Sequence, residues 1–239
     1  MKRKTAPPDL TISNMTISPC DTLIFDLDGT LVDSAPDLAY ALNQVLRADG
    51  RNPLSVKDVA GMVGDGVAKL VERGFNATGG PAIDPEGILS AFHAIYLNSA
   101  SNLTKLYPGV LETLRTLRSD GYRMGLCTNK PIAPTNALLN ALNLTEFFDA
   151  VAGGDSFPVR KPDPEHVNGV LTLLGSTAQN TIMIGDSKTD VAAAKNAGVA
   201  VIAVSYGYPR CPIEELDANI VIDSFDAVPA AIATICETA

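Results

Sequence analysis

The stretch TLIFDLDGT, Thr22–Thr30, is an apolar run that ends on two carboxylates and turns at once on Gly-Thr. A buried charge is costly unless it is paired or bound to a metal. Successive side chains of a strand point to opposite faces, so Asp26 and Asp28 share a side. Two acids held side by side at a strand end repel each other, and something positive or reactive is expected between them. Gly29 permits the sharp departure that follows.

Outward from this stretch, strand and helix patterns alternate. Further strands are expected at Tyr122–Thr128, Ala150–Gly154, Thr181–Gly185, Val199–Ser205 and Asn219–Ile222. They are apolar runs without alternation, as strands covered on both faces are. Helices are expected between them: PGVLETLRTLRSDG, DPEHVNGVLTLLG, KTDVAAAKNAG and FDAVPAAIATICE, the last starting late or bent at Pro229. This order predicts an α/β fold with a parallel sheet. Such sheets place ligands beyond the carboxyl ends of their strands.

One region breaks the alternation. From Pro36 to Leu103 the chain reads as four helices, PDLAYALNQVLRADG, SVKDVAGMV, GVAKLVERGF and PEGILSAFHAIYL, with no strand. The expected division is a loose tail over 1–19, a catalytic core over 20–35 and 106–239, and a helical second domain over 36–105.

The totals narrow the class. The 239 residues are 46% hydrophobic, enough to fill a core. The net charge of −9 argues against a nucleic acid or an anionic membrane as partner. A phosphorylated substrate would have to be caught by a few local cations. The four cysteines, Cys20, Cys127, Cys211 and Cys236, are far apart and form no CxxC pair, which reads as reduced thiols in a cytoplasmic protein. The first twenty residues start basic but lack an apolar segment, and Met15 is an alternative start.

Other strand ends also stop on polar residues: Thr128 and Asn129, then Asp186 with Asp190 one turn later; Lys161 lies in the loop after the third strand. In a parallel sheet these ends meet on one edge. Hard carboxylate oxygens suit Mg²⁺, which is often held by one or two carboxylates together with substrate phosphate and water. A carboxylate can attack phosphorus, and a second can protonate the leaving oxygen and then activate water. Taken singly, each feature is an ordinary turn or helix start.

Together, in order and each beside a strand, DLDGT, Thr128, Lys161 in RKPDP and GDSKTD resemble the four motifs of the haloacid dehalogenase (HAD) superfamily. The resemblance implies a Rossmann-like core with the helical insert as a cap. It implies Asp26 as nucleophile, Asp28 as general acid and base, and Thr128 and Lys161 holding the transferring phosphoryl group. Asp26, the Asp28 carbonyl and Asp186 would ligate Mg²⁺, with Asp190 supporting that shell. Asn129 and the N–H groups of the turn at Leu27 and Gly29 would bind phosphate. Independently of the resemblance, Lys69 and Arg73 are one turn apart on a helix of the second domain and could reach a substrate carboxylate, the alternative being a plain solvated face. The second acid, Asp28, separates this pattern from the dehalogenases.

The resemblance narrows to the bacterial phosphoglycolate phosphatases through FDLDGTLVDSAPDL, VGDGVAKLVERGF, YPGV and SYGYP. It implies hydrolysis of 2-phosphoglycolate by a monomer or homodimer. The alternatives are a sugar phosphomutase, a phosphatase of another small ester or pyrophosphate, and a non-catalytic phosphate-binding protein. Two departures stand out. His166 replaces a proline frequent in the lysine motif, and Pro209-Arg210 follow Tyr208 where the family often continues with another aromatic and Gly. His166 is expected to be exposed in the first turn of its helix, and His93 packed within one.

Overall fold

The computed structural model describes residues 20–99 and 101–238. The expected tail and the alternative start at Met15 lie outside them. Strand β1 (Thr22–Phe25) leads through a short strand β2 (Val32–Asp33) into helices α1 (Ala35–Ala48), α2 (Val56–Ala60), α3 (Val67–Ala77) and α4 (Pro85–Leu97). The chain returns through β3 (Lys105–Leu106) to α5 (Val110–Ser119), β4 (Arg123–Cys127), α6 (Ile132–Ala141), β5 (Ala150–Ala152) and α7 (Pro164–Leu174). It closes with β6 (Thr181–Gly185), α8 (Lys188–Asn196), β7 (Ala200–Val204), β8 (Ile220–Ile222) and α9 (Val228–Thr238).

Six strands form one sheet in the order β5-β4-β1-β6-β7-β8, and every neighbouring pair is parallel. This is the Rossmann-like α/β sheet that the unalternating apolar runs predict. Leu23 and Phe25 of β1 pack with side chains of α5, α6 and α9 on one face. Ile24 packs with α7 and α8 on the other. Both faces are therefore dry, and full burial of a side chain such as Phe25 contributes about 1.5–3 kcal/mol. β1 lies at the centre, so its carboxyl end has β4 on one side and β6 on the other.

Helices α1–α4 enclose a separate apolar cluster that includes Leu38, Leu42, Phe75, Phe92 and Tyr96. Val32 and Asp33 pair antiparallel with Leu106 and Lys105, so the chain leaves and re-enters the core through a two-stranded ribbon. Asp37, in the first turn of α1, fastens the return path: its carboxylate accepts hydrogen bonds from the backbone N–H groups of Leu103 and Thr104 and from the Thr104 hydroxyl at 2.6 Å. Helix α6 is not announced by the sequence pattern, since its first turn carries Pro134, which only a first turn tolerates. Pro229 likewise falls in the first turn of α9, which starts late, at Val228, as expected.

The loop after β5 is fixed by close backbone approach. A Cβ on Gly153 would lie 2.4 Å from the Ile132 nitrogen and 2.8 Å from the Lys130 carbonyl oxygen, atoms that cannot rotate away. Gly153→Ala is expected to destabilise the protein by about 1–3 kcal/mol through backbone displacement, measured as a lower urea midpoint at unchanged slope.

Candidate active site

The carboxyl ends of β1, β4 and β6 bring Asp26, Thr128 and Asp186 together, and α8 adds Asp190. Carboxylate oxygens of Asp26, Asp186 and Asp190 lie within 4.8 Å of one another. One cation sits among them. Lys161 Nζ donates to Asp26 Oδ1 at 2.7 Å, to Asp190 Oδ1 at 2.6 Å and to the Cys127 carbonyl at 2.5 Å. Burial disfavours its charge, but Asp190 and Asp26 outweigh that and hold its pKa above the usual lysine value.

Three carboxylates around one ammonium leave negative charge uncompensated. Burial pushes Asp26 up to about 7 against the pull of Lys161, and repulsion by Asp190 adds to the rise. Asp186 is raised well above the usual range by burial and then by Asp190 and Asp26. Such a cluster suits either protons or a hard divalent cation.

The oxygens available for a cation differ among the three. Both oxygens of Asp190 are engaged, one by Lys161 and the other by the Ser187 hydroxyl and N–H, in the capping box that starts α8. Asp190 therefore positions Lys161 and the helix start, and its carboxylate is less free to ligate than those of Asp26 and Asp186. Asp186 accepts the Tyr208 N–H at 2.7 Å and, more weakly, the Thr30 hydroxyl at 3.3 Å. Gly29 seats it: at φ +94°, a Cβ there would lie 2.3 Å from Asp186 Oδ2.

Asp28 lines the cavity beside this cluster and meets a partner that the motif reading did not single out. Lys130 Nζ donates to both of its oxygens, at 3.0 and 2.9 Å, and is itself buried. Its position two residues after Thr128 at a strand end was the signal available in the sequence. Thr128 accepts the Lys130 N–H, which leaves its hydroxyl proton to donate into the site. Asn129 donates to the carbonyls of Gly64 and Lys161, at 3.0 and 2.9 Å, and so bridges the helical block and the core. Asp26, Asp28, Thr128, Asn129 and Lys130 line one cavity with Val63, Gly64, Gly66 and Val67. Its volume is about 30 Å³, room for one or two waters.

Lys69 and Arg73 are not brought to this cavity. Lys69 is on the solvent face of α3, half exposed and paired with Glu72 at 2.7 Å. Arg73 turns to Asp65 and to the Met62 carbonyl at 2.9 Å. Asp65 also takes Arg210, from the loop after β7, and the Thr189 hydroxyl at 3.1 Å. The hydrogen bond from Arg210, seconded by Arg73, holds the Asp65 carboxyl well below the usual range. The departure at Arg210 is thus one half of an ion pair between core and helical block.

His166 corrects the expectation of exposure: it is completely buried. Its Nδ1 accepts the Lys161 N–H at 3.1 Å, so Nε2 carries the proton and donates to the Gly153 carbonyl. The side chain locks the backbone of Lys161, which a proline at that position could not do. His93 is partly buried, edge-on to Phe92. Burial and the nearby Lys161 charge lower the His166 pKa from 6.5 to about 4. The unfolded chain therefore binds the proton first, and stability is lost as pH falls from about 6.5 towards 4. The wild-type protein is expected to lose more stability over this window than His166→Gln does, measured by denaturant titration at each pH.

Comparison with known proteins follows the same outline. A sequence model of the family described as haloacid dehalogenase-like hydrolase matches residues 23–204. A phosphoglycolate phosphatase of Caulobacter vibrioides is 44% identical over 217 residues, covering 90% of this chain and 91% of its own. One from Rhodospirillum rubrum is 46% identical over 85% of this chain and 87% of its own. Among solved structures, a predicted phosphoglycolate phosphatase from Haemophilus somnus superposes with a TM-score of 0.86 at 30% identity, covering 90% of this chain and 99% of that one. Among the described residues, no helix is long and apolar enough to cross a membrane.

Proposed function

The chain belongs to the haloacid dehalogenase-like hydrolase family, and from that premise we propose that it hydrolyses 2-phosphoglycolate to glycolate and phosphate through an aspartyl-phosphate. The observation that carries the chemistry is the pair of acids at the end of β1, one held by Lys161 inside the cluster and the other held by Lys130 where both line the cavity. The substrate is supported by the phosphoglycolate phosphatases of C. vibrioides and R. rubrum, which match most of the chain. The four free cysteines fit a reducing, cytoplasmic setting.

The roles follow from the surroundings. Asp26 Oδ1 is tied to Lys161, so its other oxygen is the nucleophile aimed at phosphorus. As the bond from phosphorus to the ester oxygen breaks, Asp28, released from Lys130 and entering the step as the protonated acid, gives that oxygen its proton. It then takes a proton from the water that attacks the aspartyl-phosphate, which returns Asp26 to its carboxylate. Thr128 and the N–H groups of the turn after β1 hold the phosphoryl oxygens. Lys161 steadies Asp26 and offsets charge as it develops.

The donor set fits Mg²⁺: oxygens only, with two carboxylates, Asp26 and Asp186, not fully engaged by protein groups. When bound, Mg²⁺ neutralises the carboxylates and the phosphoryl group together. Helices α1–α4 serve as a cap: Leu38, Val63, Val67 and Leu70 wall the cavity from their side, and their closure over bound substrate excludes water.

Asp26→Asn is expected to lower turnover by more than about 10³-fold while the fold persists. Phosphate release should be measured from 2-phosphoglycolate, sugar phosphates, nucleotides and pyrophosphate, with this variant as the blank. 2-Phosphoglycolate is expected to lead in kcat/KM; another ester in front would overturn the substrate.

A second expectation concerns the metal. Asp26 is raised when folded, so without metal stability falls as pH rises through about 7. Mg²⁺ at a hundredfold excess over its dissociation constant should restore about 2.7 kcal/mol. The increment in thermal midpoint should be large at pH 8 and shrink towards pH 5, where protons compete for the same oxygens.

A further inference from the structure

Lys130 has a position that the chemistry above does not use. It is the only cation that lines the cavity among the described residues. Its ammonium is fully buried and has two partners, the Asp28 carboxylate and the ring face of Tyr96 from α4, 4.7 Å away. Burial works against its charge, but Asp28 outweighs burial and keeps the pKa above the usual value. The remaining wall on the cap side is apolar: Leu38, Val63, Val67 and Leu70.

This arrangement cannot persist through turnover. Asp28 holds Lys130 with both oxygens, and at least one must leave to reach the ester oxygen. A buried ammonium that loses its carboxylate is strongly destabilised unless another anion replaces it. The apolar cap residues offer none, and the cap cations Lys69 and Arg73, paired with Glu72 and Asp65, do not compete with Lys130 for an anion of the substrate. The leaving group of 2-phosphoglycolate carries a carboxylate one carbon away from the ester oxygen that Asp28 must reach.

We propose that Lys130 is the specificity-determining residue for the substrate carboxylate, exchanging Asp28 for that carboxylate when the ester binds. The inference rests on 2-phosphoglycolate being the substrate. The exchange links recognition to catalysis: an ester with a carboxylate frees Asp28 while the ammonium stays paired, and an ester without one leaves either Asp28 held or Lys130 unpaired. A ring from the cap over the same ammonium makes the exchange depend on closure.

The test compares kcat/KM for 2-phosphoglycolate and for 2-hydroxyethyl phosphate, in which a hydroxymethyl group replaces the carboxylate. Wild-type protein, Lys130→Met and Lys130→Gln are each first checked for a cooperative thermal transition. Wild-type is expected to prefer the carboxylate ester by about 10² or more, because a site built around a charged partner rejects the analogue lacking it. Both variants are expected to bring the ratio close to one, chiefly by losing rate on 2-phosphoglycolate. If only Lys130→Gln folds, its ratio decides alone. Equal losses on both esters, with the preference kept, would overturn the assignment and leave Lys130 as a holder of Asp28. A wild-type protein without the preference would instead sink the substrate itself, and the inference with it.

Discussion

The ammonium of Lys161 is the contact on which the site depends. It joins the end of β1 through Asp26, the end of β4 through the Cys127 carbonyl, and the start of α8 through Asp190. Three elements far apart in sequence are thereby held by one charge. Without it, three buried carboxylates within 4.8 Å would face one another unneutralised. The lysine is in turn held from behind by His166, which accepts its backbone N–H and donates to the Gly153 carbonyl. Gly153 has no room for a side chain against the Lys130–Ile132 backbone. A chain of short contacts thus runs from an uncharged buried histidine to the Asp26 carboxylate.

The helical block is tied to this centre by polar contacts and few apolar ones. Its own cluster is separate from the two that cover the sheet. The link at the ribbon is fixed by Asp37 and by Tyr208, whose hydroxyl donates to Asp33 at 2.6 Å and accepts the Ala35 N–H. A second link is ionic, with Asp65 of the block between Arg73 and Arg210. Asn129 adds a third, by donating to Gly64. Part-exposed ion pairs add little to stability, so these contacts join the block to the core without carrying the fold.

Much of this was legible in the chain. Apolar runs without alternation announced strands covered on both faces, and their order announced a parallel sheet. Because parallel sheets gather their carboxyl ends on one edge, the acids at 26, 28, 186 and 190 could be brought together on paper. The helical block was visible as a region with no strand pattern. Helix α6 was missed because its prolines mask a start that only a first turn accommodates. His166 was misread because an isolated histidine after Asp-Pro-Glu resembles a solvent-facing helix start.

What the sequence determined by itself was the set of strand-end groups and their order along the chain, since these follow from local pattern and chain direction. What the tertiary structure alone decided was pairing. That Lys130 reaches Asp28, that Arg73 and Arg210 share Asp65, and that Lys69 points to solvent depend on distances between residues up to 145 positions apart. A charged side chain is indifferent in sequence to which opposite charge it meets. Only packing, by bringing one carboxylate within reach and removing water from around both, selects the partner.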